Sequence, residues 1–251
     1  MDLTDYRNKD IEKARTSDLM ALIPDDCRGV SLDIGARDGW FSIMLAERFH
    51  KVTALDIEEP SIDHPRVQCV KGDVTNLDFP NDAYDLVFCA EVLEHIPPEQ
   101  LIKACCELER VAKKYILIGA PFKQDIRVNR AKCYTCGKRN PPWGHVNSFD
   151  EHRLKQLFSL CAVQKISYVG ENREYTNVFS VFLLDFAGNP YGFYHQEEPC
   201  IHCGAKLKEP PPRNIPQKIS TRLAFNIKNI QSPFHSPHPN WIHVLFEKRK
   251  A

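Results

Sequence analysis

The sequence predicts an α/β protein whose parallel sheet carries helices on both faces. Three observations point there. Short apolar runs rich in Val, Ile and Leu recur five times before residue 122. Segments with helical apolar spacing separate most of them. The first run ends in a glycine-bearing turn, LDIGARDG at 32–39, which leads directly into a helix pattern. Strands that alternate with helices pair in parallel through right-handed crossovers.

Each element follows in order. An amphipathic helix is expected over 4–22, then a buried strand at GVSLDIG, 29–35. Phe41, Met44, Leu45 and Phe49 recur at helical spacing over 38–49. KVTALDI (51–57), RVQCVKG (66–72) and AYDLVFCAE (83–91) read as strands two to four. Pro97 and Pro98 open a helix with Leu101, Ala104, Cys105, Leu108 and Val111 on one face. KYILIGAP (114–121) is apolar enough to be buried on both faces of a sheet. Residues 122–147 read as an irregular loop. Ser148 with Glu151 reads as a capping box for a helix carrying Leu154, Leu157, Phe158 and Cys161. AVQKISYVG (162–170) reads as a strand; TNVFSVFLLDFAG (176–188) is an apolar run that suits either a helix or a strand, and a helix is the expectation. EPPPRNIP (209–216) is a stiff connector before a helix at 217–230. WIHVLFEKR (241–249), alternating and β-branched, reads as a closing strand.

At 251 residues and 43% hydrophobic, the chain is long enough for an ample core. No apolar run reaches membrane-spanning length. The polar N-terminus does not resemble a secretory signal, and ten cysteines without one suit a reducing compartment, so the cytoplasm is expected. Net charge is zero but uneven. Residues 1–110 hold 23 acids against 12 Lys and Arg, and residues 205–251 hold 9 Lys and Arg against 2 acids. Such a basic segment suits surface contact with an anionic partner such as phosphate, nucleic acid or membrane lipid; the simpler reading is solvated charge that balances the acidic half.

The turn at 32–39 is a ligand site by its grammar. Its Arg37 and Trp40 stand where a dinucleotide fingerprint needs glycine, and no Walker lysine follows. What remains is D-x-G-x-x-x-G, followed by Asp56 at the end of strand two and Asp73 after strand three. An acid placed like Asp56 accepts both hydroxyls of a ribose. Asp73 suits the exocyclic amine of adenine, with Val74 packed on the ring. Three acids at three successive strand ends describe an adenosine site without a phosphate.

On these residues the chain resembles class I S-adenosylmethionine-dependent methyltransferases of the small-molecule type. The resemblance covers about 29–121: LDIGARDG, the ALD ending at Asp56, GDV, and YDLVFCAEVLEHI with its V-L-x-H-I segment. It implies a Rossmann-like, seven-stranded sheet that ends in a reversed strand, with S-adenosylmethionine as cofactor. Asp33 and the backbone at Gly35, Ala36 and Gly39 would then hold the methionine part, and Asp56 and Ile57 the ribose side. Asp73 and Val74 would hold the adenine, with Ala90 and Glu91 beneath the sulfonium. The chain departs from its relatives at Arg37, where most carry glycine.

Methyl transfer is an in-line displacement, driven mainly by proximity. A hydroxyl acceptor gains from a base, and the candidates are His95, Glu91 and His145. The [DN]-P-P-[YF] segment used for amide and adenine-amine acceptors is replaced here by AEVL. Cys27, Cys69, Cys89, Cys105, Cys106 and Cys161 read as core.

Two C-x-x-C-G turns, Cys133–Cys136 and Cys200–Cys203, carry the grammar of a four-thiolate zinc site split by 63 residues. Four thiolates leave no open coordination position, so the metal would be structural. It would pin the segment after strand five against the excursion before the last strand. The expected organisation is one methyltransferase domain over 1–251, with a cofactor half (1–121) and an acceptor half (122–251) carrying zinc-binding insertions at about 122–147 and 188–216. The expected acceptor is a small molecule or glycan precursor methylated on oxygen or nitrogen. Nucleic acid is disfavoured by zero net charge and the lack of an aromatic-basic platform. The alternatives are an RNA methyltransferase with a zinc ribbon, and a non-catalytic adapter with a relic cofactor site.

Overall fold

The computed structural model describes residues 7–249. The chain divides into two compact units. Met1–Phe122, Phe149–Gly170 and Pro239–Ala251 form the first, and Lys123–Ser148 with Glu171–His238 form the second.

The first unit holds the seven-stranded sheet. Its strands are β1 (Val30–Ile34), β2 (Lys51–Asp56), β3 (Val67–Lys71), β4 (Tyr84–Ala90), β5 (Ala112–Pro121), β8 (Cys161–Val169) and β9 (Trp241–Lys248). They lie in the order β3-β2-β1-β4-β5-β9-β8. The first five pair in parallel, whereas β9 runs antiparallel to both β5 and β8. The reversed strand, last in the chain, therefore lies between the fifth and sixth strands of the sheet in chain order. Its helices are α1 (Asp10–Leu22), α2 (Trp40–Arg48), α3 (Pro98–Val111) and α4 (Glu151–Leu157). Residues 4–6 of the expected first helix lie outside the described residues.

Strand alternation explains how the sheet is sandwiched. On β4, Val87 and Cys89 join a core with Leu101, Ala104 and Leu108 of α3. The intervening Leu86 and Phe88 join the opposite core with Leu19 and Leu22 of α1 and Leu45 of α2. β5 and β9 repeat the division, with Ile116, Ile118, Val244 and Phe246 on one side and Leu117 and Leu245 on the other. Truncating a fully buried residue such as Phe88 to alanine should cost about 3–5 kcal/mol.

Some details differ from expectation. Asp150 caps α4 by accepting from the Arg153 N–H at 2.8 Å, two residues after the expected Ser148. A carboxylate beside the first turn is an equally good cap, and the helix is too short to reach Cys161, which starts β8. Cys106 is exposed on α3, one step off the helix's apolar face, and Cys69 is half-buried because β3 is an edge strand of the sheet.

The second unit contains the short ribbon β6 (Ala131–Lys132) and β7 (Arg139–Asn140), then α5 (Val178–Phe186) and α6 (Ile215–Gln231). The ribbon falls within the segment expected to be irregular. Asn177 caps α5 through the Ser180 N–H. Asn214 and Gln217 form a reciprocal capping box on α6. The helix thereby starts inside the expected connector, and Pro216 sits in its first turn, where no N–H bond is lost.

Candidate cofactor site and thiolate cluster

Parallel pairing places the C-terminal ends of β1 to β4 on one edge of the sheet. Strand order reverses between β1 and β4, where open α/β sheets bind ligands. Asp33 is the penultimate residue of β1, and Asp56 ends β2. Asp73 follows β3 by two residues, and Ala90 ends β4.

The turn after β1 is held by backbone bonds. The N–H groups of Gly35 and Ala36 both donate to the Leu55 carbonyl, at 2.8 and 3.1 Å. Those donors are thus spent on the sheet, and the carbonyls of Ala36 and Gly39 accept from the N–H groups of Gly39 and Ile43 at 2.7 and 2.9 Å. Gly35 has φ +75°, and a Cβ there would lie 2.4 Å from Val92 Cγ2, so the position requires glycine. Gly39 (φ +83°) caps α2.

Asp56 is fixed by two N–H donors. Arg37 N reaches Oδ2 at 2.9 Å and Ile57 N reaches Oδ1 at 2.7 Å. Each oxygen keeps a second lone pair for a hydroxyl. Arg37, the departure from the expected glycine, adopts the φ of 52° that glycine would adopt easily, and serves Asp56 through its backbone. Ile57 is exposed beside it. Asp73 is exposed and braces its own loop through the Thr75 N–H at 2.8 Å. Val74 is buried in the core, so only its rim is available to a ring.

Asp33 is almost wholly buried and accepts from Ser42 Oγ at 2.5 Å. Burial pushes its carboxyl up to about 7; the Ser42 bond opposes that and the Asp56 charge adds to it. A cation brought to this site would favour its ionised form.

Glu91 follows β4 with φ 58° and donates its N–H to the Gly119 carbonyl at 2.9 Å. Its carboxylate meets Trp241 Nε1 at 3.3 Å and the Arg15 guanidinium at 3.6 Å. Arg15 also pairs with Glu12 at 2.8 Å. Burial raises the Glu91 carboxyl, while Arg15 and Trp241 oppose the rise. The neighbouring Glu94 is fully buried, with no hydrogen-bond partner for either oxygen among the described residues. Burial, then the Glu91 charge, lifts its carboxyl well above the usual range. The His95 side chain reaches solvent, yet the protein packed around its ring, and then the Arg37 charge, lower its pKa. A neutral imidazole is what a general base requires.

Arg15, Trp241, Ser42 and Glu94 were absent from the sequence reading. Arg15 and Trp241 lie 76 and 150 residues from Glu91, and no local pattern links them. Glu94 was the unspecified position of V-L-x-H-I. His145 belongs to the second unit, where it is buried and its Nδ1 meets Gln124 Oε1 at 2.6 Å.

The second unit brings all four C-x-x-C-G thiols together. Their sulfurs lie within 4.8 Å of one another. Cys133 and Cys203 are 3.7 Å apart, and Cys136 and Cys200 3.6 Å. Ligands at about 2.3 Å from a tetrahedral zinc stand roughly 3.8 Å apart, so the donor set and spacing fit that metal. The two turns share one geometry. The N–H of Gly137 and of Gly204 each donates to the carbonyl of its first cysteine at 2.8 Å, and both glycines have positive φ. Backbone N–H groups of Cys136 and Thr135 lower the Cys133 thiol to about 6, favouring the thiolate that a metal binds. Asn140, also missed, braces one turn by accepting from Ile201 N at 2.9 Å. His202 bonds the Arg139 carbonyl and is not among the clustered ligands.

This sheet order, with a β1–β4 crevice and acids at successive strand ends, is the fold found in class I S-adenosylmethionine-dependent methyltransferases. Residues 32–116 match the methyltransferase-domain family. It is 34% identical over 88 residues to the ubiquinone biosynthesis O-methyltransferase of Idiomarina loihiensis, covering 30% of this chain and 36% of that one. Phosphoethanolamine N-methyltransferase 3 of Arabidopsis thaliana is 27% identical over 124 residues, covering 45% of this chain and 24% of that one. The chain thus spans about a quarter to a third of the length of these curated relatives. Among solved structures, N-methyltransferase NodS of Bradyrhizobium japonicum with S-adenosylhomocysteine aligns at TM-score 0.54 and 13% identity, covering 98% of this chain and 92% of that one. The 1,6-didemethyltoxoflavin-N1-methyltransferase of Burkholderia thailandensis aligns at 0.56 and 14%, covering 98% and 82%. At such identities these structures speak to the fold.

Proposed function

We propose that this chain transfers a methyl group from S-adenosylmethionine to oxygen or nitrogen of a small-molecule or sugar-containing acceptor. The observation that carries the reading is Asp56, fixed by two backbone N–H groups at the end of β2 between Asp33 and Asp73 on the neighbouring strands. In this reading Asp56 takes the ribose hydroxyls, with Ile57 beside them. Asp73 and the rim of Val74 take the adenine. Asp33 and the backbone at Gly35, Ala36 and Gly39 take the methionine part. Ala90 and Glu91 line the sulfonium end, where the Glu91 carboxylate favours positive charge. The cofactor, when bound, supplies an electrophilic methyl group on sulfur.

Where the acceptor is a hydroxyl, His95 is the assigned base, because its lowered pKa keeps the ring neutral. Glu91 is committed to Arg15 and Trp241, and His145 to Gln124. Cys133, Cys136, Cys200 and Cys203 hold a structural zinc that ties 123–148 to 171–238 within the second unit. Small-molecule acceptors are favoured over nucleic acid because the curated relatives are named for small-molecule methylation.

The test is calorimetric titration with S-adenosylhomocysteine. Replacing Asp56 by alanine should weaken binding roughly tenfold to a hundredfold, as expected for losing hydrogen bonds to a charged acceptor. Unchanged affinity in a folded Asp56→Ala protein would refute the assignment.

A further inference from the structure

The second unit contains a pair of helices whose amphipathicity is turned outward. α5 and α6 meet through small residues: Ser180 Oγ donates to the Ala224 carbonyl at 3.0 Å, and Ser220 Oγ to the Leu183 carbonyl at 2.8 Å. Ser180, Ser220, Thr221 and Ala224 are buried there. The large apolar residues lie on the other faces. On α5, Val178, Phe179, Phe182 and Phe186 share one arc, and Phe179 and Phe182 are 72% and 70% exposed. On α6, Ile215, Ile219, Leu223 and Ile230 share another, and Ile215 and Ile230 are 73% and 72% exposed. Phe234, just past α6, is exposed as well. Single exposed apolar residues are ordinary, but regular stripes on two packed helices mark an interaction surface.

The charges around the stripes select the partner. α6 carries Lys218, Arg222 and Lys228 and no acid. Between 206 and 230 there are six Lys and Arg against one Glu. Asp185, the acid of α5, is committed to Arg130 and Arg139. Two-fold pairing of α6 with a second copy would bring two basic helices together, with no acid on either to offset the other. An anionic surface offset by apolar depth suits both features. No helix among the described residues is long and apolar enough to cross a membrane. We propose that the α5–α6 face lies on anionic phospholipid bilayers, with its Phe and Ile side chains among the acyl chains and its basic residues at the headgroups. The proposal does not depend on the methyltransferase reading.

The test is co-sedimentation of the full chain with vesicles of phosphatidylcholine alone and of phosphatidylcholine mixed with phosphatidylglycerol. Binding to the mixed vesicles is expected, with weak binding to the neutral ones. Reversing Lys218 and Arg222 to glutamate should reduce the partition coefficient roughly thirtyfold or more. Replacing Phe179 and Phe182 by serine should abolish binding, and an unchanged far-ultraviolet circular dichroism spectrum and melting temperature would show that this variant is folded. Failure of the unmodified protein to bind either vesicle would overturn the proposal. So would a dimer on size-exclusion chromatography that the phenylalanine variant breaks, since that would assign the face to a second copy.

Discussion

Asp33 makes the site's behaviour depend on pH. Its carboxyl sits at about 7 in the folded chain against an ordinary 3.8. Between those values the folded state holds a proton that the unfolded state has lost. Stability should therefore fall as pH rises from about 4 to 7, by up to about 1.4 kcal/mol per pH unit, and level off above. Asp33→Asn should match the unmodified protein below pH 4 and exceed it in stability at pH 8, measured by urea unfolding. A cationic cofactor pulls the equilibrium the other way. Its binding near pH 6 should release a fraction of a proton, visible as a dependence of calorimetric heat on the buffer's ionisation enthalpy; no dependence would detach Asp33 from the cofactor. The acids at 33, 56 and 73 were legible in the sequence because each closes or follows a strand. The groups around Glu91 were not, because Arg15 and Trp241 reach it from distant parts of the chain.

At the scale of elements, the two C-x-x-C-G turns make a prediction that each alone would not. Cys136→Ser should abolish stoichiometric zinc on metal analysis. It should also raise hydrogen exchange across 123–148 and 171–238, while β1 to β5 keep their protection. Full zinc retention would mean that the four thiols are not the site. Each turn was legible from its spacing and glycine, and their meeting across 63 residues was an inference from chemistry. The cap of α4 was misread because Ser148 and Asp150 are both good caps, and only the backbone decides between them. The outward face of α5 was also illegible. An apolar run at helical spacing reports that a helix has an apolar side, but not what covers it.

At the scale of the molecule, the sheet was largely readable because its central strands are buried on both faces and alternate with helices. The reversed direction of β9 came only from the family resemblance, and its place between β5 and β8 was not legible, since antiparallel pairing over such a separation leaves no local trace. The division into two units likewise follows from where the insertions fall, after β5 and between β8 and β9. The central claim is that the first unit is a working S-adenosylmethionine site. Calorimetric titration of the chain with S-adenosylmethionine tests it most directly. The expected result is one molecule bound per chain, with affinity reduced at least tenfold by Asp56→Ala, as loss of charged hydrogen bonds requires. No detectable binding by the folded protein, or equal binding by the variant, would contradict it.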